Sequence, residues 1–148
     1  MQVKEILRVK GSRLLSIEPS GRAVDAVATM AKENLGSLVV LERGRMIGML
    51  TFHEILRALA DRAGTLGDTR VSELMARDPV CAAPDMEVND LRRTMLESGA
   101  RYLPVMQDAK LLGVISFRDV AKAVLEEQDF ENKMLKAYIR DWPDERDE

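Results

Sequence analysis

The strongest constraint on the fold is that the chain repeats itself at a spacing of 65 residues. The stretch RMIGMLTFHEIL, residues 45–56, returns in altered form as KLLGVISFRDVA, residues 110–121. The same offset superposes further residues, among them Pro19 on Pro84, Leu38 on Leu103, and Gly48 on Gly113. A fixed period of this length indicates a duplicated supersecondary unit, and such units bury their apolar faces against each other. The sequence therefore predicts two similar motifs packed about a pseudo-two-fold axis.

Each copy shows the same order of local patterns. A short apolar segment ends at a proline, a stretch of helical period follows, two strands flank a polar turn, and a helix closes the unit. The first segments are residues 14–17 and 80–82, and the first helix of each copy is predicted to end at Gly36 or Gly99. Each unit is thus predicted to be β-α-β-β-α, an α/β (α+β) fold.

The repeat also predicts how the chain is divided. We expect a first motif at residues 1–62, a glycine-containing linker at 63–70, a second motif at 71–126, and an amphipathic helix with an acidic tail at 127–148. A unit of about 60 residues is marginal on its own. The two motifs are therefore expected to form one cooperative module.

The composition argues against several classes of function. The net charge of −3 and the lack of a basic stripe disfavour nucleic acid as a partner. No apolar run approaches the roughly 20 residues that span a bilayer, so no membrane partner is expected. One histidine and one cysteine disfavour a zinc site, and a single cysteine fits a reducing, cytoplasmic compartment. No Walker loop or other catalytic motif is visible, and we expect no enzymatic activity.

The repeated phrase contains a polar pair where a strand turns into a helix, Thr51 with Glu54 and Ser116 with Asp119. This spacing is that of a capping box, which satisfies free N–H groups at a helix start. The same hydroxyl and carboxylate are also suited to a ligand, because a helix N-terminus attracts phosphate and a carboxylate accepts from a diol. The spacing does not choose between these interpretations.

The whole pattern resembles the CBS domain, in which paired β-α-β-β-α motifs form one module. The resemblance is carried by VSELM at 71–75, by SIEP and CAAP, by YLPVM, and by the Gly-x-x-Ser-x-x-Asp spacing of residues 113–119. It implies a stand-alone regulatory module that binds an adenosine-containing ligand in clefts between its motifs. AMP, ADP, ATP, NAD and S-adenosylmethionine all occur in the family, as ligands rather than catalytic cofactors.

Carried over residue by residue, the resemblance implies two clefts. Cleft 1 would be formed by Ser116, Arg118 and Asp119 together with Glu18, Ala23, Leu35 and Gly36. Cleft 2 would be formed by Thr51, His53 and Glu54 together with Ala83, Val88, Ala100 and Arg101. Because Glu54 stands where the pattern has Asp, and His53 where Arg118 stands in the other copy, cleft 2 is expected to bind more weakly.

The last predicted helix leaves an apolar stripe to be covered. Phe130, Met134 and Tyr138 recur every four residues up to about Arg140. The helix either folds back on its own module or packs on a partner, and CBS pairs commonly form homodimers. The alternatives to a ligand sensor are a dimerising scaffold with empty clefts, an enzyme acting on a bound nucleotide, and, as a further partner, an unidentified regulated protein.

Overall fold

The protein was analysed as a computed structural model that describes residues 1–10 and 14–140. Along the chain the elements are α1 (Val3–Lys10), β1 (Ser16–Ile17), α2 (Ala23–Glu33), β2 (Ser37–Glu42), β3 (Arg45–Thr51), α3 (Phe52–Asp61), α4 (Val71–Leu74), β4 (Ala76–Arg77), α5 (Val88–Ser98), β5 (Tyr102–Gln107), β6 (Lys110–Ser116) and α6 (Phe117–Arg140). The predicted mixed α/β fold with two motifs is confirmed.

Each motif is built on an antiparallel hairpin. The first sheet has the order β1-β2-β3-β4, with β1 parallel to β2, and the second sheet is the β5-β6 pair. Both hairpins have an irregularity at the same place in the repeat, after Val40 and after Val105. The predicted first strands are shorter than expected. Residues 14–17 contribute only β1, and in residues 80–82 only Ala82 pairs, in an isolated bridge with Val105.

Two helix ends differ from expectation. Helix α2 ends at Asn34, which has a left-handed backbone and caps the helix by donating its N–H to the Met30 carbonyl. Asn tolerates this conformation because its short polar side chain fits it, so Gly36 is not the helix terminator that the pattern predicted. The last helix is not separate either, because α6 runs without a break through 24 residues. The predicted acidic tail lies outside the described residues, and no described helix is apolar over a length that would cross a bilayer.

The short helix that precedes each motif packs on the other motif. Val3 and Ile6 of α1 are buried in one core cluster with Leu91, Leu103 and Ile115 of the second motif. In the same way α4 supplies Val71 to the core under the first sheet, and β4 extends that sheet by pairing with β3. Isolated bridges mark the two crossings, Gln2 with Glu87 and Arg70 with Arg22. The two halves of the chain therefore share both cores.

The repeated glycine of β3 and β6 has a different neighbour in each copy. A Cβ on Gly48 would lie 2.7 Å from the backbone oxygen of Ala76, whereas a Cβ on Gly113 would lie 3.0 Å from the Leu7 side chain. A backbone atom held in a sheet cannot yield as a leucine methyl can. We therefore expect Gly48→Ala to reduce the free energy of unfolding by about 1–3 kcal/mol and Gly113→Ala by less than about 1 kcal/mol. Urea denaturation of both variants tests this, and an equal or larger loss for Gly113→Ala would contradict it.

Candidate functional site

The strand-to-helix junction of the second motif is a reciprocal capping box. The Asp119 N–H donates to Ser116 Oγ at 3.1 Å, and the Ser116 N–H donates to Asp119 Oδ2 at 2.9 Å. Each bond satisfies a backbone donor that the first turn of α6 leaves free. The capping interpretation is therefore confirmed here, and the Ser116 hydroxyl accepts a bond while no described group accepts its own proton.

The junction of the first motif uses its hydroxyl differently. Thr51 Oγ1 accepts from the His53 N–H at 3.2 Å and donates its proton to the carboxylate of Glu54. The longer Glu54 side chain reaches the hydroxyl itself, whereas Asp119 reaches the backbone. As a result, the Thr51 proton is already used, and the Ser116 proton is available to an acceptor in the adjoining cleft.

Cleft 1 lies between the two motifs and has a volume of about 380 Å³, within the usual range for small-molecule sites. One wall is apolar and comes largely from the first motif, and the opposite wall carries the start of α6. The lining residues the argument uses are Leu14, Leu35, Gly36, Tyr102, Ser116 and Arg118. Of the residues predicted for this cleft, Leu35, Gly36, Ser116 and Arg118 are thus brought together, and Asp119 borders them through its bond to Ser116.

Lys10, at the end of α1, reaches across to this cleft. Its Nζ donates to Asp119 Oδ2 at 2.6 Å and to the Val114 carbonyl at 2.7 Å. Both side chains of the ion pair are only partly exposed, Lys10 at 33% and Asp119 at 23%. Lys10, Arg101 and Arg118 all line the cleft, and neither guanidinium has an ion-pair partner among the described residues. Cleft 1 therefore has a positive character.

The same contacts set the ionisation of Asp119. Partial burial alone would raise the pKa of its carboxyl, but the hydrogen bonds from Lys10 and Ser116 and the charge of Lys10 outweigh burial, and together they lower the pKa below its ordinary value. Asp119 is therefore a carboxylate at neutral pH, able to accept hydrogen bonds.

Replacing Asp119 with Asn is expected to reduce the free energy of unfolding at pH 7 by about 1 kcal/mol, because the amide keeps an acceptor for Ser116 but loses the ion pair. A lowered pKa in the folded state means that the carboxylate stabilises the fold fully above the ordinary aspartate pKa of about 3.9. That contribution is lost as the pH falls through the folded-state pKa. Urea midpoints measured from pH 7 downwards should show the difference between the two proteins shrinking below about pH 4. A difference that is undiminished at about pH 2 would contradict the assignment.

Cleft 2 is larger, about 540 Å³, and less charged. It is lined by Thr51, His53 and Glu54 of the first motif and by Ala100 and Arg101 of the second, as predicted, together with Phe52, Leu56 and Val80. Nη2 of Arg57 lies 2.8 Å from Nε2 of His53. Because a guanidinium only donates, Nε2 must be the acceptor, and the imidazole is neutral in this arrangement. The acid Glu54 and the base Arg101 offset each other, so cleft 2 lacks the positive character of cleft 1.

Tyr102 separates the two clefts and lines both of them. Its hydroxyl occupies the position next to Gly36, where a Cβ would lie 1.7 Å from the tyrosine oxygen. Gly36 is needed here for close approach, since its backbone does not adopt a left-handed conformation. At the corresponding positions of the repeat stand Arg101 for Gly36 and Ser37 for Tyr102, so the large side chains at this seam come from the second motif.

Four of the predicted contact residues do not line either cleft. Ala23 and Val88 begin α2 and α5 and are buried in the apolar cores, because the first turn of each helix faces the inside of its motif. Ala83 is half-buried outside cleft 2. Glu18 lies on the exposed loop after β1, where its carbonyl accepts the Gly21 N–H.

Sequence reasoning missed Lys10 and the double role of Tyr102 and Arg101. Lys10 is 109 residues from Asp119 along the chain, and no local spacing links the two. Tyr102 belongs to a strand pattern that predicts only a half-buried residue. The one available signal was the pairing of Gly36 and Ser37 with Arg101 and Tyr102 in the repeat, which shows two small residues facing two large ones.

Comparison with known proteins places this architecture in a family. The profile of the CBS domain matches residues 3–61 and 71–126. The chain is 32% identical over 111 residues to the CBS domain-containing protein YhcV of Bacillus subtilis, covering 74% of this chain and 78% of YhcV. The crystal structure of a CBS-domain containing protein from Agrobacterium tumefaciens superposes with a TM-score of 0.79 at 27% identity, covering 83% of this chain and 98% of that one.

Two more distant structures share the fold and hold ligands. CBSX2 in complex with AMP has a TM-score of 0.73 at 23% identity and covers 86% of this chain and 98% of its own. The CBS domain pair of MJ0100, in complex with 5'-methylthioadenosine and S-adenosyl-L-methionine, has a TM-score of 0.75 at 21% identity with the same coverage. Since the family profile covers both copies of the repeat and most of the described residues, the chain belongs to the CBS domain family.

Proposed function

We propose that the chain is a non-catalytic regulatory module that binds an adenosine-containing nucleotide, such as AMP, ADP, ATP or NAD, and binds it first in cleft 1. The observation that carries the proposal is the composition of this cleft. Its apolar wall comes largely from the first motif, while the hydroxyl of Ser116 and the cation of Arg118 come from the second. A nucleotide has an apolar base at one end and an anion at the other, which is the polarity that the cleft offers.

The apolar wall suits a purine base. Leu14, Leu35 and Val39 form a surface beside the Tyr102 ring, and burying the faces of a base against aliphatic and aromatic groups is favourable. Gly36 leaves room for the tyrosine to stand at this wall. The neighbouring backbone groups can then distinguish one base from another.

The opposite wall suits phosphate and ribose. Arg118 lies in the first turn of α6, where free N–H groups and the helix dipole favour an anion. The Ser116 hydroxyl has its proton available, and a phosphate or ribose oxygen can accept it. Asp119 accepts from the Ser116 N–H and Lys10 through Oδ2, and no described residue donates to its second oxygen, which can accept from a ribose hydroxyl.

Relatives support the ligand class. CBSX2 is seen in complex with AMP, and the MJ0100 domain pair in complex with methylthioadenosine and S-adenosylmethionine. Both are distant in sequence, so the nucleotide of this chain has to be established directly. A cytoplasmic location, expected from the single cysteine, stays a prediction.

A melting screen of the full chain tests the proposal. AMP, ADP, ATP, NAD and S-adenosylmethionine are added in turn, with GMP and ribose 5-phosphate as controls that keep the sugar and phosphate but change or remove the base. A ligand at 100 times its Kd adds about 2.7 kcal/mol to the free energy of unfolding, which is a shift of several degrees in a domain of this size. Absence of a shift with all five adenosine compounds would overturn the proposal.

We expect the bound nucleotide to be released unchanged. Ser116 Oγ accepts a backbone N–H and is not bonded to a base, so the hydroxyl is not activated as a nucleophile. Incubation with each ligand followed by chromatography tests this, and turnover would favour the enzyme alternative.

A second function, a dimerising scaffold, is favoured by a separate observation. Large apolar side chains on the far half of α6, including Phe130, Met134 and Ile139, are more than half exposed. Patches of this kind mark contact surfaces. We therefore propose that the chain forms a homodimer and passes its state to an unidentified regulated protein. Sedimentation at micromolar concentration separates a dimer from a monomer, independently of the melting screen.

A further inference from the structure

The far half of α6 has no counterpart in the first motif. Helix α3 ends at Asp61, the repeat equivalent of Glu126, whereas α6 continues for a further 14 residues to Arg140. The CBS profile ends at the same place, residue 126. Up to there Val120, Ala123 and Val124 pack on the second core. The extension therefore serves neither the fold of the motif nor the clefts.

The extension is amphipathic and uncovered. Phe130, Met134 and Tyr138 lie one turn apart on one face and are 64, 59 and 60% exposed, and Leu135 and Ile139 lie beside them at 56 and 63%. A helix segment of this length is marginal in water unless its apolar face packs on something. No described residue of the chain covers that face.

The charges on the extension are divided into two blocks. Residues 126–131 hold four acids and no base, namely Glu126, Glu127, Asp129 and Glu131, and residues 132–140 hold three bases and no acid, namely Lys133, Lys136 and Arg140. Two copies aligned in parallel would place acid against acid and base against base. Two antiparallel copies place each acidic block against the basic block of the other, and their helix dipoles are then also opposed.

We infer that residues 127–140 of α6 form an antiparallel helix pair with the same segment of a second copy, with the two-fold axis near Asn132. Aligning the centres of the charge blocks puts Phe130 of one copy beside Leu135 of the other, and Glu127 beside Tyr138. The apolar stripes then cover each other. The inference rests on the self-association proposed above and is independent of ligand binding.

Disulfide trapping in the full chain tests the direction of the pair. Cys81 is exposed and is first replaced by Ser. Glu127→Cys and Tyr138→Cys are then made in separate chains, one carrying a mass tag. Antiparallel pairing separates two copies of either residue by about 16 Å along the axis, too far for a disulfide, whose Cβ atoms lie about 4 Å apart. The expected result on mild oxidation is a disulfide between the two different chains and little within either chain alone.

A matched pair of serine variants tests the contribution of the stripe. Phe130→Ser removes a side chain from the centre of the proposed contact, and we expect the dimer dissociation constant to rise about thirtyfold or more. Leu125→Ser removes a side chain of equal exposure, 64%, on the opposite face of the helix, and should leave the constant within about twofold.

The possible outcomes are distinct. Disulfides within each chain alone would indicate a parallel pair and would overturn the inference. A dimer that is indifferent to Phe130→Ser and forms neither kind of disulfide would keep the proposed self-association and reject this surface. A monomer at micromolar concentration would reject both, and the melting screen would still decide ligand binding.

Discussion

Expressed separately, residues 1–66 and 67–148 are expected to show no cooperative melting, although each contains one complete β-α-β-β-α repeat. The cut removes α4 and β4 from the first motif, and with them Val71 and Met75 of its core. It removes α1 from the second motif, and with it Val3 and Ile6. Loss of two buried apolar side chains costs about 4–10 kcal/mol, comparable with the whole stability of a domain of this size.

A fragment of almost equal length is the control. Residues 14–77 retain the first sheet with β4 and the whole first core cluster, and this fragment should melt at a higher temperature than residues 1–66. Mixing residues 1–66 with 67–148 should restore a cooperative transition, because each supplies the helix that the other lacks. Two separated halves that each melt cooperatively as monomers would contradict the prediction.

Asp119→Ala is expected to weaken AMP binding in cleft 1 by about ten- to a hundredfold, because a hydrogen bond to a charged group contributes about 1.5–3 kcal/mol. Glu54→Ala, at the equivalent place in the first motif, should cost clearly less at the tighter site. The structure gives the reason for the difference. Glu54 is bonded to the Thr51 hydroxyl in a cleft of little net charge, whereas Asp119 lies among Lys10, Ser116 and Arg118.

Titration calorimetry on both variants measures the two affinities, and unliganded melting temperatures control for the loss of the helix cap, which alone costs about 1 kcal/mol. Lys10→Ala separates two effects of the ion pair. If Lys10 contacts the phosphate, its loss weakens binding, and if it only occupies Asp119, its loss strengthens binding. Loss of the tighter site in Glu54→Ala with an intact site in Asp119→Ala would show that the clefts are assigned in the wrong order.

The family and its fold follow from the sequence because they depend on short-range patterns written twice. The offset of 65 residues reveals the duplication, the alternation of apolar residues predicts the two hairpins, and the Ser116 and Asp119 spacing predicts the capping box that the structure contains. The last helix was also predictable from its period up to Arg140. In each case the residues that interact lie within a few positions of one another, so that their spacing alone carries the information.

Only the tertiary structure decided how the two copies share their residues. The sequence places α1 beside the first motif, but the helix packs on the second, and no local pattern distinguishes the two cores because both present the same apolar residues. Lys10 meets Asp119, and Tyr102 stands against Gly36 between the clefts, through contacts between residues far apart in the chain. These contacts depend on where two rigid motifs come to rest against each other, and that position is set by the sum of many packing interactions. For this reason the sequence determined which motifs are present, and the packing of the motifs determined which side chains form each cleft.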